Sequence, residues 1–233
     1  RGLGDVYKRQ IVHGTNITLL NAARKIDASA EDLRGKIFIT AGLGGMSGAQ
    51  PKAGVIAKGI CIVAEINPQA TYKRHEQGWV DEVYDNLDNL LDRAVTARAN
   101  QEAVSIAYDG NIVDLWERVV ERNIHIEIGS DQTSLHNPWA GGYYPVGMSY
   151  DSANKMMVEN PVEFKKEVQK TLIRHVNAIN TLTERGMYFF DYGNAFLLEA
   201  SRANADILMP NGDFRYSSYV QDILGPMCFD YGF

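Results

Sequence analysis

The chain has 233 residues, 45% hydrophobic and 22% charged, with a formal net charge of −6. That is an ordinary globular composition, long enough for one large domain or two small ones, and its acidic balance gives no general attraction to nucleic acid or to an anionic membrane. No apolar run is long enough to span a bilayer, no signal-peptide pattern is read, and the two cysteines, Cys61 and Cys228, stand too far apart in sequence to suggest a disulfide framework, so a reducing cytoplasm is the expected compartment.

Residues 1–10, RGLGDVYKRQ, do not flow into the stretch from Ile11 onward and read as a non-native leader, so their glycines are set aside. The other end stops at CFDYGF without a closing element, and the chain reads as truncated at both ends. IVHGTNITLLNAARKI reads as a short strand or turn leading into a helix capped by Thr15 or Asn16. KIFIT is a short buried strand, followed by four glycines within seven residues and then a helix from near Ser47 to Gly59 with Pro51 in its early turns. ICIVAEI is nearly all apolar, as suits a parallel strand covered on both faces, and Cys61 within it reads as a small core residue. Two helical pieces come next, TYKRHEQGW and a stretch from Tyr84 to Asn100. AVSIAYDGN is a third strand with its turn, Asn111 caps the next helix, and IHIEI is a fourth strand. Residues 129–147 form a long loop rich in Gly, Pro, Asn and aromatics, and loops of that length in compact domains are usually functional.

From Asn160 the signals agree on a long helix, with Asn160 as cap, Pro161 in the first position, Glu163 placed for a capping box, and Gly186 as the stop. MYFFDYGN is a fifth strand, and a further helix runs from Asn194 to Ala203. Strand alternating with helix is the pattern of an α/β, doubly wound and mostly parallel sheet with helices on both faces, so residues 11–233 are expected to form one Rossmann-like domain.

In such a domain the glycines have a use. One makes the tight turn after the first strand, a second lets backbone approach a pyrophosphate, and a small residue lets helix and strand pack closely, while the helix start offers free amides and a positive dipole end. Gly42 and Gly44 supply the first pair. The third standard position is Ser47, so the pattern is a variant, G-x-G-G-x-x-G through Gly48. Glu65 ends the second strand, twenty residues beyond Gly45, where a carboxylate would hold the adenosine ribose and favour NAD over NADP. Lys73 and Arg74 lie just beyond and weaken that preference. A glycine turn that merely packs, with Glu65 a solvated strand end, remains open at this point. So does the use of the polar turns at Asp109–Asn111, Asp131–His136 and Asp191–Asn194, where Asn111 and Asn194 read first as caps. His136 is the best placed of the histidines, whereas His175 sits on the flank of a helical apolar stripe and reads as structural. No metal-ligand spacing and no nucleophile motif is seen.

TAGLGGMSGAQPKA, DQTSLHNP, GGYYPVG and FFDYGNAFLLEA, in this order, resemble the urocanase family over nearly all of Ile11 to Phe233. The resemblance implies the family's central NAD-binding domain, without its N-terminal segment and C-terminal domain. It implies a lyase of histidine degradation, a cytoplasmic homodimer that adds water to urocanate to give 4-imidazolone-5-propanoate, with NAD+ as an electrophile and no net redox. The cofactor contacts it implies fall on Gly45, Met46 and Ser47 of the turn, on Glu65, on Asn111 and Ile112, on Gln132, Thr133, Ser134, Leu135 and His136, on Tyr143 and Tyr144, and on Tyr192, and they join Gly42 and Gly44 of the glycine pattern as candidate cofactor-binding residues. An arginine expected five residues after the acidic one is Ala70 here, with Lys73 or Arg74 as its replacement. The family's catalytic cysteine lies in a motif this chain does not contain, and Cys228 is not that residue; no metal is expected. An NAD-dependent dehydrogenase and a non-catalytic dinucleotide-binding domain are the alternatives.

Overall fold

The structure, a computed structural model, describes residues 2–133, 135, 137–193 and 195–224, with the backbone alone described at 2–9 and 138. Among them, six strands form one sheet: β1 (Ile37–Ala41), β2 (Ile60–Glu65), β3 (Glu82–Tyr84), β4 (Val104–Asp109), β5 (Ile128–Asp131) and β6 (Tyr188–Asp191). Their order is β3-β4-β2-β1-β5-β6, and every pairing is parallel. The helices are α1 (Gly2–Ile26), α2 (Gln50–Ile56), α3 (Pro68–Glu76), α4 (Leu87–Ala99), α5 (Ile112–Glu121), α6 (Tyr150–Glu159), α7 (Pro161–Glu184) and α8 (Phe196–Arg202).

Side chains alternate across a strand, and the central strands here are apolar on both sides. Ile37, Ile39, Ile60 and Ile62 enter a core shared with α4, α5 and α7, while Phe38, Cys61 and Val63 enter a second core shared with α1 and α2. A parallel sheet covered on both faces follows from these unbroken apolar runs, as the sequence predicts. The fold class of the sequence reading is therefore the observed one.

Several elements differ from the sequence reading. Helix α1 is continuous from Gly2, so neither Thr15 nor Asn16 caps it. The Thr15 and Thr18 hydroxyls instead donate to the carbonyls of Ile11 and Gly14 inside the helix, both at 2.9 Å. Glu82–Tyr84, expected near the helix start, is an edge strand on β4, and Asn86 caps α4 by accepting the Asn89 N–H at 3.0 Å. The stretch 124–127 lies outside the ladder. There Glu127 turns inward to accept the Ile37 N–H at 2.7 Å and pair with Arg98 at 2.8 Å, and β5 runs on into residues assigned to the loop. Helix α6 is absent from the sequence reading. Asn160 joins it to α7, giving its N–H to the Met156 carbonyl at 2.8 Å and accepting the Glu163 N–H at 3.3 Å. With that N–H taken, Glu163 cannot close the capping box and pairs with Lys166.

The close helix–strand approach also sits elsewhere than expected. At Gly54 of α2 an added Cβ would lie 2.5 Å from the Cys61 Cβ of β2, so a side chain there forces the layers apart. Gly54→Ala is expected to lose about 1–3 kcal/mol in chemical unfolding despite the helix propensity of alanine. Gly45→Ala, with nothing within 4 Å of its Cβ, should stay within about 0.5 kcal/mol of wild type. Equal stabilities would show that α2 and β2 can separate freely.

Candidate functional site

The chain leaves β1 toward β2 on one side, while β5 flanks β1 on the other. This reversal opens a crevice at the carboxyl ends of the strands, the usual ligand position in such sheets. A cavity of about 590 Å³ lies there, within the size range of small-molecule sites. Its wall is made by the turn after β1, the end of β2, residues 110–112 after β4, Gln132 and Thr133 after β5, residues 141–144 of the long loop, and Tyr192 and Gly193 after β6.

The turn explains its variant sequence. Gly42 has φ +94°, and a Cβ on it would lie 3.0 Å from the Ser47 Oγ. Ser47 folds back into the turn, where its hydroxyl accepts the Gly44 N–H at 2.9 Å. A serine thus stands at the third position because it braces the turn, and the helix packing is left to Gly54. Gly45 has open space around it, and Met46 is exposed.

Glu65 ties β2 to this turn. Its Oε2 accepts the Leu43 N–H at 2.8 Å and its Oε1 accepts the Asn67 N–H at 2.9 Å. Burial raises its pKa, the backbone donors pull it back, and Asp109 nearby adds to the rise. A carboxylate has about four acceptor positions, so the backbone donors of Leu43, Asn67 and Ile66 leave room for a ligand hydroxyl. Arg74 does not take the place of the arginine missing at Ala70. Its guanidinium is held by the carbonyls of Leu43 and Gly44, on the outer side of the turn, and Lys73 is exposed in the last turn of α3.

The opposite wall is aromatic. Asn111 caps α5 through the Val113 N–H and also donates to the Tyr144 carbonyl, both at 2.9 Å, so one side chain joins the loop to the sheet. The Tyr144 and Tyr150 rings lie 5.2 Å apart, and Tyr144 donates to Asn154. Tyr150 opens α6, which explains why sequence reasoning missed it. The Tyr143 hydroxyl is 2.9 Å from His175 Nδ1. His175 is fully buried on α7, and its Nε2 lies 3.9 Å from Asp131 Oδ2. Leu135 is packed in the core and does not line the cavity; Ser134 and His136 lie outside the described residues, as do Asn194 and Cys228. Among the described residues, Gln132 Oε1 and the Tyr192 hydroxyl are buried without a hydrogen-bond partner, and both residues belong to the cavity wall. Unsatisfied polar atoms beside a cavity fit a polar ligand. The structure thus brings thirteen of the sixteen sequence-predicted residues, from Gly42 to Tyr192, into one wall.

Burial pushes the Asp131 carboxyl up to about 7, with Asp191 contributing, and lowers His175 to about 3. Ionising Asp131 therefore costs more in the folded chain. The penalty is absent below its unfolded pKa of about 4, grows as pH rises, and is complete above about 7. His175 opposes this over part of the range, because its burial as a neutral ring loses stability below about pH 6.5. Comparison of wild type with Asp131→Asn isolates the carboxyl. Between pH 4 and pH 8 the variant should gain on the order of a few kcal/mol relative to wild type in thermal unfolding. A pH-independent difference would mean that Asp131 does not titrate in this window.

Comparison with known proteins agrees with this geometry. The family model Urocanase, described as the Urocanase Rossmann-like domain, matches residues 8–223. The chain is 57% identical over 227 residues to a probable urocanate hydratase of Dictyostelium discoideum, covering 96% of this chain and 33% of that protein. It is 52% identical over 231 residues to the urocanate hydratase of Homo sapiens, covering 96% and 34%. A probable urocanate hydratase of Halobacterium salinarum is 33% identical over 221 residues, covering 93% and 37%. The chain spans about a third of the length of the curated relatives it matches. With a glycine turn, an acidic strand end and an aromatic loop around one cavity at the switch point of a parallel sheet, the chain belongs to the urocanase family as its Rossmann-like domain.

Proposed function

We propose that this chain is the NAD+-binding domain of a urocanate hydratase, a lyase that adds water to urocanate and works in a longer polypeptide as a cytoplasmic homodimer. The observation that carries the reading is the convergence on one cavity of the braced glycine turn, the Glu65 carboxylate, Gln132 and Tyr192. The names of the relatives support the reaction.

The sheet order supports one direction for the ligand. Glu65 ends β2 on one side of β1, and Gln132 and Tyr192 come after β5 and β6 on the other. The adenosine ribose lies against Glu65, whose remaining lone pair accepts a ribose hydroxyl. The pyrophosphate crosses the turn at Gly45 to Ser47, where Gly45 has no side chain and Ser47 is folded back into the turn. The nicotinamide end reaches Gln132 and Tyr192, and an amide side chain such as that of Gln132 matches a carboxamide in donors and acceptors. When bound, the oxidised nicotinamide supplies an electrophilic ring for an electron-rich substrate, and the surrounding tyrosines exclude water and orient it.

Calorimetric titration of the purified chain tests the reading. Saturable NAD+ binding is expected, with weaker NADP+ binding because a 2′-phosphate meets the Glu65 carboxylate. Glu65→Ala should lose NAD+ affinity by about 10- to 100-fold, since it removes charge-assisted hydrogen bonds and the Leu43 anchor together. No NAD+ binding by the folded wild-type chain would sink the proposal.

The same titration carried out against pH gives a second prediction. The ionised carboxylate is the acceptor, and burial raises its pKa, so affinity should fall on acidification at a higher pH than for an ordinary glutamate. Glu65→Gln should bind weakly with a flat profile. A wild-type profile as flat as that of the glutamine variant would remove Glu65 from the ribose.

A further inference from the structure

The outer side of the glycine turn is held by a cation that the proposed contacts do not use. Arg74, near the end of α3, donates from Nε to the Leu43 carbonyl at 3.0 Å and from Nη2 to the Gly44 carbonyl at 2.5 Å, while Nη1 donates to Gln77 at 3.1 Å. Gly48 makes room for it: a Cβ there would lie 2.6 Å from Arg74 Nε and 2.9 Å from its Cζ. The donors of the same backbone are also taken, the Leu43 N–H by Glu65 and the Gly44 N–H by Ser47.

These bonds set the orientation of two successive peptide units. In a trans peptide the carbonyl and the following N–H point in opposite directions. With the Gly44 carbonyl drawn toward α3, the Gly45 N–H is turned away from α3. Gly45 and Met46 belong to the cavity wall. The guanidinium lies one peptide layer behind that wall, where its charge adds to the attraction for an anion in front of it, although Arg74 itself does not line the cavity.

We infer that Arg74 is a positioning residue for the dinucleotide pyrophosphate, aiming the turn amides and backing them with positive charge, and that Gly48 is the residue that admits it. The inference rests on the reading of the cavity as a dinucleotide site. It also assigns the fourth glycine of the turn a role other than helix–strand packing.

The test is binding of two probes, NAD+ and adenosine, to the purified chain and to Arg74→Met, Arg74→Lys, Gly48→Ala and the Arg74→Met/Gly48→Ala double variant, with thermal unfolding beside it. Adenosine has the ribose but no phosphate, and its binding is followed by NMR shifts at millimolar concentration. Arg74→Met and Gly48→Ala should each weaken NAD+ by about tenfold or more, with adenosine changed less than about twofold. The double variant should be no worse than either single one, since both remove the same clamp. Arg74→Lys should recover little, because an ammonium cannot span two carbonyls as a planar fork does. Arg74 variants that bind NAD+ as wild type does would overturn the inference while leaving the cofactor site standing. So would a parallel loss of NAD+ and adenosine, which marks a general loosening of the fold. Absence of NAD+ binding by wild type would remove the cofactor reading and this inference with it.

Discussion

The site depends on one carboxylate holding a backbone loop. Glu65 ends β2, and its Oε2 takes the N–H of Leu43 in the turn after β1. Adjacent parallel strands are joined by their ladders, but the turns beyond them are not, and a glycine-rich turn loses more conformational freedom on ordering than any other. A charge-assisted bond from the neighbouring strand end supplies the missing restraint. It fixes the turn from the sheet side, as Arg74 and Ser47 fix it from the helix side. The burial that raises the pKa of Glu65 also makes each of its hydrogen bonds count for more, since fewer waters compete for the same oxygens.

The opposite wall is restrained by a different device. The long loop carries few backbone ladders of its own, so side chains fasten it. Asn111 grips the Tyr144 carbonyl, Thr171 of α7 accepts the Val146 N–H at 3.0 Å, and the Tyr143 phenol reaches His175. Tyr143 therefore borders the cavity while its hydroxyl faces the core. That division suits a site whose aromatic ring must stay in place when a ligand arrives, because the ordering cost is met during folding instead of binding. The His175–Asp131 pair behind it lies in the same dry layer, and a neutral histidine is what such burial selects.

Legibility in the sequence tracks the range of the interactions. The central strands are readable because an apolar run buried on both faces needs no partner to identify it. Gly42 is readable because a tight turn demands its φ, and Glu65 because the strand spacing places it at the end of β2. Asn111, Asn160 and Pro161 are readable because caps are local. What stays hidden is what depends on distant residues. Glu82–Tyr84 carries too short a pattern to be read as a strand, and only the ladder of β4 makes it one. Helix α6 has a single fully buried residue, Ala153, so it lacks an apolar stripe, and Tyr150 is lost with it. The sequence shows four glycines in the turn but not that Gly48 yields space to Arg74 while Gly54 meets Cys61, since both neighbours come from elsewhere in the chain.

The same distinction explains why the glycine motif could depart from its standard spacing without losing its form. The motif is a set of requirements on space: one positive φ, one open approach, one close packing contact. Gly42 meets the first, Gly45 the second and Gly54 the third, six residues beyond the last glycine of the turn. Between them the chain is free to place a serine that braces from within and a glycine that admits an arginine from outside. A pattern of letters reports such a turn only when all three requirements fall at the usual intervals. The physical turn needs only that each be met by some residue, which is why the neighbouring strand end and helix, more than the glycine count, identify what this stretch can hold.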